Sequence, residues 1–294
     1  MFRKGIEKVE KDAFNGARFN RVSLPNKVSN AFHFLIKINT ELGQLDKANQ
    51  VTIEKLYFDS KYGFIGASSH TLDAHVDAII DISSTKSAKE FLNQIIDDAN
   101  ISPTIVSWAI CKLHIKLEEW GDAEVVLKNH LYRLCYAEAY GRLNSTIDKL
   151  VSCCQKNKGR KHVISTLEEL VDNDIHEIVS SSLHTLVRIY KEEEDFEKMK
   201  LKLEYKIDLE LENNQYHVAT WDYISLADAY VELEEHEKAK NILINHYFSI
   251  TSYRLAQQII EKLVQIYREN SEINQAKETL QEIIRKTEES EHQF

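Results

Sequence analysis

The residue types best suited to metal binding lie close together in the middle of the chain. Cys111 and His114 are one helical turn apart, and His130 and Cys135 follow in the next predicted helix. Cysteine thiolates and histidine imidazoles at such spacings bind zinc. Cys111 and His114, however, fall where the repeat described below needs a small and a large packing side chain. We therefore expect them to be buried structural residues and expect no bound metal.

Three other groups of residues could support chemistry, and each has a simpler interpretation. The adjacent thiols of Cys153 and Cys154 would point in different directions on a helix, which disfavours a redox pair. The carboxylates of residues 192–195 lack the glycine and oxygen spacing of a calcium loop, so we expect a solvated turn. The basic stretch KNKGRKH at 156–162 is short and also falls in a predicted turn. The sequence thus predicts no catalytic residue and no cofactor.

Composition narrows the class of protein. The 294 residues include only 2 prolines and 8 glycines, which favours long helices with short connections over sheets. The formal net charge of −10 argues against general nucleic-acid binding, because that activity needs a concentrated basic surface. No apolar stretch is long enough for a membrane span or for the core of a signal peptide. We expect a cytoplasmic protein with reduced cysteines and without membrane attachment.

An internal repeat accounts for the most regular residues. From Leu226, a tyrosine follows after four residues, an alanine after nine more and a leucine after a further four, and the same series begins again at Leu263. Weaker matches bring the number of eighteen-residue windows to seven, starting at residues 35, 75, 110, 150, 186, 226 and 263. Each window reads as the end of one helix, a polar turn and the start of the next helix. Two amphipathic helices per period of 35 to 40 residues are typical of a helical solenoid.

The small residue of each window is predicted to lie where the two helices of a hairpin approach most closely. A larger side chain at that position would push the helices apart. These small residues are Ala48, Ala88, Ala123, Ala239 and Ala276. We therefore interpret the regular residues of the windows as packing residues.

The windows resemble the tetratricopeptide repeat family, whose unit is a helix-turn-helix hairpin. The sixth window carries the resemblance as Tyr223, Leu226, Ala227, Tyr230, Ala239 and Leu243, and the seventh as Ile260, Leu263, Val264, Tyr267, Ala276 and Leu280. The closing proline of the family is missing from every window. The resemblance implies an all-α fold, namely a right-handed superhelical solenoid of about seven antiparallel helix hairpins. A looser similarity connects the chain with repeat output modules of bacterial response regulators.

The repeat domain is predicted to span residues 28–286. Residues 1–27 are predicted to form an N-terminal helix that belongs to an upstream hairpin or domain, and residues 287–294 a polar tail. The segment Tyr57–His70 contains two of the eight glycines, so we expect it to be a loop between hairpins.

The family geometry implies that the first helix of each hairpin lines a concave face, which such proteins use to bind a peptide or a partner helix. Aromatic rings on that face would anchor apolar side chains, and cations would bind a carboxylate. The tryptophans could equally pack between hairpins. Ile105 is also predicted to point outward there. The partner-binding residues predicted on this face are Trp108, Lys112, Ile115, Lys116, His184, Arg188, Lys191, Trp221, Asp228 and Arg268.

Charge is unevenly distributed along the sequence. Between residues 168 and 237 there are 20 acidic and 6 basic side chains, whereas residues 1–50 carry 5 acidic and 9 basic ones. This asymmetry could steer a basic partner or allow self-association, although an acidic run is more often a solvated face.

Two functions remain in view from the sequence. The first is a non-catalytic scaffold that binds a protein or peptide and neither nucleic acid nor membrane. The alternative is a bacterial signal-transduction regulator, either the output module of a response regulator or a peptide sensor. An enzyme would need a convergent polar pocket that no spacing in the chain predicts.

Overall fold

The computed structural model describes residues 23–62, 65–96, 98, 101, 103–213, 216–250 and 252–291. Fourteen α-helices and one short 3-10 turn, Tyr140–Arg142, make up almost all of these ranges, which contain no strand. The helices are α1 Ser23–Glu41, α2 Leu45–Tyr62, α3 Ile65–Ile82, α4 Thr85–Ile95, α5 Pro103–Lys116, α6 Trp120–Tyr136, α7 Leu143–Lys158, α8 Arg160–Val171, α9 His176–Glu192, α10 Phe196–Glu212, α11 Tyr216–Glu232, α12 His236–Tyr247, α13 Tyr253–Glu269 and α14 Ile273–Glu291.

Each of the seven sequence windows contains the short connection between two consecutive helices. The first window spans the turn from α1 to α2, and the last spans the turn from α13 to α14. The prediction of an all-α fold with about seven helix pairs is therefore confirmed for the described part of the chain. The four glycines whose surroundings the structure describes all lie at or beside helix ends, as the short connections require.

The chain forms two compact units. Unit 1 ends at Gly159 and unit 2 begins at Arg160, so the boundary falls within the fourth window. In unit 1 the apolar faces of α3, α4 and α5 meet in one buried cluster that includes Leu72, Phe91 and Leu113. In unit 2 the buried residues include the window leucines Leu186, Leu226 and Leu263. Each unit therefore has its own core.

The small residues of the windows lie where the sequence places them. Ala48, Ala88, Ala123 and Ala239 are completely buried, and Ala276 is nearly so. Because α1 packs on α2, α5 on α6 and α11 on α12, these alanines sit at helix–helix contacts. The interpretation of the windows as packing patterns is confirmed.

Neighbouring hairpins are joined by a recurring ion pair. A lysine in the second helix of one hairpin reaches a glutamate just before the second helix of the next hairpin. The three pairs are Lys89–Glu119 at 2.8 Å, Lys200–Glu235 at 3.8 Å and Lys240–Glu272 at 2.7 Å. These lysines occupy the same position of their windows. The ion pair is therefore part of the repeat.

In most windows the turn between the two helices contains a residue with a positive φ. It is Gly43 in the first window, with a φ of 69°, but Glu118, Glu194 and Glu234 later, with φ of 57°, 55° and 60°. Glycine adopts this conformation without the steric cost that a Cβ brings. The glutamate turns therefore carry local strain.

The loop predicted at Tyr57–His70 is wrong. Helix α2 continues to Tyr62 and α3 begins at Ile65, so most of this segment is helical. Phe58 and Asp59 are buried on α2 and extend its packed face beyond the predicted end. The glycines of the segment suggested a loop, but Gly66 lies in the first turn of α3, where it does not interrupt the helix.

Parts of the terminal predictions lie outside the described residues. Of the N-terminal helix predicted at 1–27, only residues 23–27 are described, and they belong to α1. Of the tail predicted at 287–294, residues 287–291 continue α14. Among the described helices, none is both long and apolar enough to cross a membrane.

Candidate functional site

A cleft of about 370 Å³ opens in unit 1 between the first helices of three consecutive hairpins, α3, α5 and α7. Helix α6 contributes one residue to its floor. The contact of α3 with α5 and of α6 with α7 holds the walls in place. The lining residues are His70, Asp73, Trp108, Lys112, His130, Arg142, Ser145, Thr146 and Lys149.

Trp108 forms the aromatic wall of the cleft. Its ring is half-buried and lies 5.7 Å from the His130 ring, tilted by 36°. The Lys149 ammonium of α7 lies over the Trp108 ring, with its Nζ 4.9 Å from the ring centroid. A cation over an indole face is a favourable contact that also orients the ring. The two roles that the sequence left open for Trp108 therefore coincide, since it both packs and lines the cleft.

His130 forms part of the floor and is neutral. It is buried, and its Nδ1 lies 2.7 Å from the Ser107 hydroxyl. Burial lowers the pKa of His130 to about 4, and the nearby Arg133 and Arg142 cations act in the same direction. At neutral pH this imidazole adds no charge to the cleft.

Positive charge predominates in the cleft. Lys112 pairs with Asp73, which neutralises both groups. Arg142 and Lys149 have no carboxylate partner in the part of the chain that the structure describes. Two uncompensated cations therefore face the opening.

Local structure at the start of α7 fixes Arg142. The 3-10 turn ends at this residue, and the hydroxyls of Ser145 and Thr146 donate hydrogen bonds to its carbonyl oxygen, each at 2.9 Å. The backbone of Arg142 is thus anchored while its side chain stays exposed. Arg142 and Lys149 are seven residues apart, so the helical period brings them to one face.

The other residues predicted on the first helices of unit 1 have different surroundings. Lys116 is exposed and pairs with Asp77 at 2.8 Å, beside the Lys112–Asp73 pair. Ile115 is half-buried. The outward orientation predicted for Ile105 is wrong, because Ile105 is buried in the core cluster with Leu113.

In unit 2 the predicted residues also lie on first helices. His184, Arg188 and Lys191 are exposed on α9, and Trp221 on α11 is 55% exposed. Asp228 pairs with Lys262 of α13 at 2.5 Å, and Arg268 is exposed on α13. None of these residues lines the unit 1 cleft.

Sequence reasoning placed only Trp108 and Lys112 of the lining residues on a binding face, and the charged or titratable ones that it missed there include His70, Asp73, Arg142 and Lys149. Arg142 and Lys149 belong to the fourth hairpin, whose window matches the repeat weakly, so no concave residue was assigned to it. The feature of the sequence that could have identified them is the seven-residue spacing of two cations at the start of a helix. His70 was missed because it ends the segment that was interpreted as a loop, and Asp73 lies just beyond that segment.

The cysteine and histidine residues considered as a metal site have individual surroundings in the structure. Cys111 is completely buried, and burial raises the pKa of its thiol to about 12. His114 bonds through Nδ1 to Glu119 at 2.7 Å, and Glu119 also accepts two bonds of 2.8 Å from Lys89. His130 bonds to Ser107 instead of turning toward Cys111. The predicted structural role of Cys111 is confirmed.

Comparison with known proteins gives structural neighbours only. No protein-family model matches the sequence, and neither does any curated protein. The crystal structure of the apo form of RapI is 11% identical, with 87% of this chain and 75% of that chain covered and a TM-score of 0.44. A signal-transduction ATPase with a tetratricopeptide repeat sensor from Pyrococcus horikoshii is 14% identical, with 98% and 46% covered and a TM-score of 0.40. A kinesin light chain-like repeat protein from Podospora anserina is 12% identical, with 83% and 98% covered and a TM-score of 0.25.

The fold assignment rests on the chain's own helices. Its seven windows, their buried alanines and the lysine–glutamate contacts between neighbouring hairpins all follow one repeating plan. The hairpins are tetratricopeptide-like.

Proposed function

We propose that the protein is a non-catalytic interaction scaffold that binds an acidic segment of a partner protein in the unit 1 cleft. The observation that carries the proposal is the pair of uncompensated cations, Arg142 and Lys149, beside the Trp108 ring. In a chain whose formal net charge is −10, a cleft with unpaired cations is a local exception. Electrostatic complementarity therefore favours a negatively charged ligand.

The chemistry of the lining residues fits a peptide. A guanidinium can hold a carboxylate through two parallel hydrogen bonds, and the Lys149 ammonium would add a third donor. The exposed part of Trp108 offers an apolar surface for a neighbouring side chain. A volume of about 370 Å³ accommodates one or two side chains and leaves the rest of a segment to lie along the first helices.

The buried hydroxyl–imidazole pair of the cleft supports a binding role over a catalytic one. Ser107 and His130 are 2.7 Å apart, a distance that suits a nucleophile and its base. Both side chains are buried, however, with 2% exposed, so a substrate carbonyl has no access to the Ser107 hydroxyl.

Peptide binding tests the proposal. We expect a labelled peptide with a Glu-Phe-Glu centre to bind more tightly than the same peptide with Gln-Phe-Gln, as measured by fluorescence anisotropy. The double variant Arg142→Gln/Lys149→Gln should lose about tenfold in affinity or more, since charged hydrogen bonds are lost. Trp108→Leu should weaken both peptides.

The matched control is Lys37→Gln/Lys86→Gln, which removes two exposed cations of unit 1 outside the cleft. It should bind like the unchanged protein. Equal affinity for the two peptides, or an unchanged affinity of Arg142→Gln/Lys149→Gln, would refute the proposed cleft. Circular dichroism confirms that each variant is folded.

The signal-transduction alternative uses the same cleft as the scaffold function and differs from it only in the kind of partner. A peptide sensor would use the same cleft for a short signal peptide, whereas a scaffold would hold a segment of a folded protein. Both functions predict binding of the free acidic peptide; a higher affinity for a folded partner that presents the same segment favours the scaffold, and an equal affinity favours the sensor.

A further inference from the structure

The exposed side of α1 carries an apolar stripe. Phe34, Ile38 and Leu42 follow one another at intervals of four residues and are 62%, 50% and 64% exposed. Ala31 and the half-buried Leu35 complete the stripe, which we call the leading face. The opposite side of α1, with Phe32 and Ile36, is buried against its own unit. A helix with apolar residues on both sides is built to contact two neighbours.

One position of the leading face, that of Ile38, is buried in five of the six later hairpins. Ile38 has the window position of Leu113, Cys153, Ile189, Ala229 and Ile266, all of which are at most 2% exposed. Leu113 shares a buried cluster with Phe91 and Leu92 of the preceding hairpin. Ile38, at the centre of the leading face, therefore has the position that forms the interface between hairpins, and it is exposed in the described part of the chain.

The last hairpin exposes the opposite half of the same interface. Ile284 is 57% exposed, whereas Leu56, Leu131 and Ile207 at its window position are buried. Leu56 packs in one cluster with Leu72 and Val76 of the following hairpin. Ile273, Leu280 and Ile284 lie on one side of α14, and we call them the trailing face. Ile273 is exposed and Leu280 is half-buried.

The polar contact between hairpins has its two halves at these same faces. Lys277 occupies the window position of Lys89, Lys200 and Lys240, each of which reaches a glutamate of the next hairpin. Gln44, beside the leading face, occupies the position of those glutamates. A Lys277–Gln44 contact between copies would replace the internal ion pair by a hydrogen bond from the ammonium to the amide oxygen.

We infer that a second copy of this chain covers the leading face, with the trailing face of one copy stacked on the leading face of the next. The occupant follows from continuity with the established interface between hairpins, because the two faces are its two halves. The contact is heterologous, so it joins copies head to tail and leaves one face of each kind exposed at the ends.

Two exposed apolar residues serve as probes, Ile38→Glu on the leading face and Ile284→Glu on the trailing face. Leu201→Glu is the matched control, since Leu201 is 58% exposed on α10 outside both faces. All three side chains project into solvent, so each variant should fold, and circular dichroism checks it. The full chain is examined by sedimentation velocity over a concentration range.

We expect the unchanged protein and Leu201→Glu to associate with rising concentration and each single face variant to remain monomeric. An equimolar mixture of Ile38→Glu and Ile284→Glu should form dimers and nothing larger, because only one competent pair of faces exists in the mixture. The inference is overturned if the unchanged protein stays monomeric, which would mean that the chain covers its own face or binds another partner there. It is equally overturned if Ile284→Glu still associates, which would indicate α1 pairing with α1.

Discussion

Lys55 is a charged side chain in the interior of unit 1. It is 1% exposed, pairs with Asp59 one turn along α2 and donates to the Ser29 hydroxyl of α1 at 2.9 Å. Ser29 in turn donates to Asp59 at 2.9 Å. A buried charge is tolerated when all of its partners are in place. The same window positions hold Ser180, Lys206 and Glu210 in unit 2, where Ser180 donates to Glu210 and Lys206 lies 3.9 Å from Glu210 while it bonds to Asp222.

We expect Lys55→Met to destabilise the protein by about 3–5 kcal/mol, because the buried Asp59 carboxylate would lose the cation next to it. Urea unfolding measures this loss. The double variant Lys55→Met/Asp59→Leu removes both charges and should recover more than half of it. If the double variant is as unstable as the single one, packing and not the unpaired charge dominates at this site.

Glu234 illustrates strain in a hairpin turn. Its φ of 60° places a side chain in the left-handed region, and no ion pair is described for it that would offset the cost. We expect Glu234→Gly to stabilise the protein by about 0.5–1 kcal/mol, since glycine adopts this conformation freely. Glu232→Gly, two residues earlier at the end of α11, should destabilise by a similar amount. Thermal unfolding tests this, because the midpoint temperature should rise in Glu234→Gly and fall in Glu232→Gly.

At the scale of elements, the contacts between hairpins combine apolar stacking with a buried cation. Lys240 of α12 is 2% exposed, bonds Glu272 at 2.7 Å and lies 4.9 Å from the Tyr267 ring centroid. Both partners belong to the next hairpin. One lysine thereby fixes the position of α13 relative to α12 in two directions.

Replacing Lys240 by Met keeps the aliphatic stem and removes the charge. We expect a loss of about 1–3 kcal/mol and faster amide exchange in α13 and α14, with α9 and α10 unchanged. Lys238→Met is the control, because Lys238 is largely exposed and exposed ion pairs contribute little. Uniform acceleration of exchange throughout unit 2 would contradict a local role for Lys240.

The sequence predicted these elements to different degrees. The window alanines and leucines located the helix–helix contacts because their spacing records packing directly. Ile105 was misplaced because an apolar residue on a first helix has the same period whether it faces the core or a groove. The Arg142–Lys149 pair escaped notice because its meaning depends on Trp108 and Asp73 of other helices, and sequence distance hides that proximity.

At the scale of the molecule, three buried histidines link stability to pH. Burial lowers the pKa values of His75 and His130 in unit 1 and of His246 in unit 2 to about 4. The unfolded chain binds their protons near pH 6.5, so unfolding takes up protons between about pH 6.5 and 4. Their contribution to stability is therefore complete above pH 6.5 and is lost as the pH falls.

We expect unit 1 to be markedly less stable at pH 5.0 than at pH 7.5, with a loss of about 2 kcal/mol for each buried histidine. His130→Asn preserves a hydrogen-bonding partner for Ser107 and removes one titrating group. In urea unfolding at the two pH values, this variant should lose about 2 kcal/mol less than the unchanged protein. An identical pH dependence would mean that other groups control acid sensitivity.

Packing between neighbours along the chain has a consequence for synthesis. Many helices that are adjacent in sequence pack on each other, as α1 does with α2 and α5 with α6, and α3 packs in addition on α5, two helices further on. A hairpin on the ribosome therefore needs no residue far downstream in order to close. Each finished hairpin then offers its trailing side as a template for the one that emerges next, so the nascent chain can fold in the direction in which it is made.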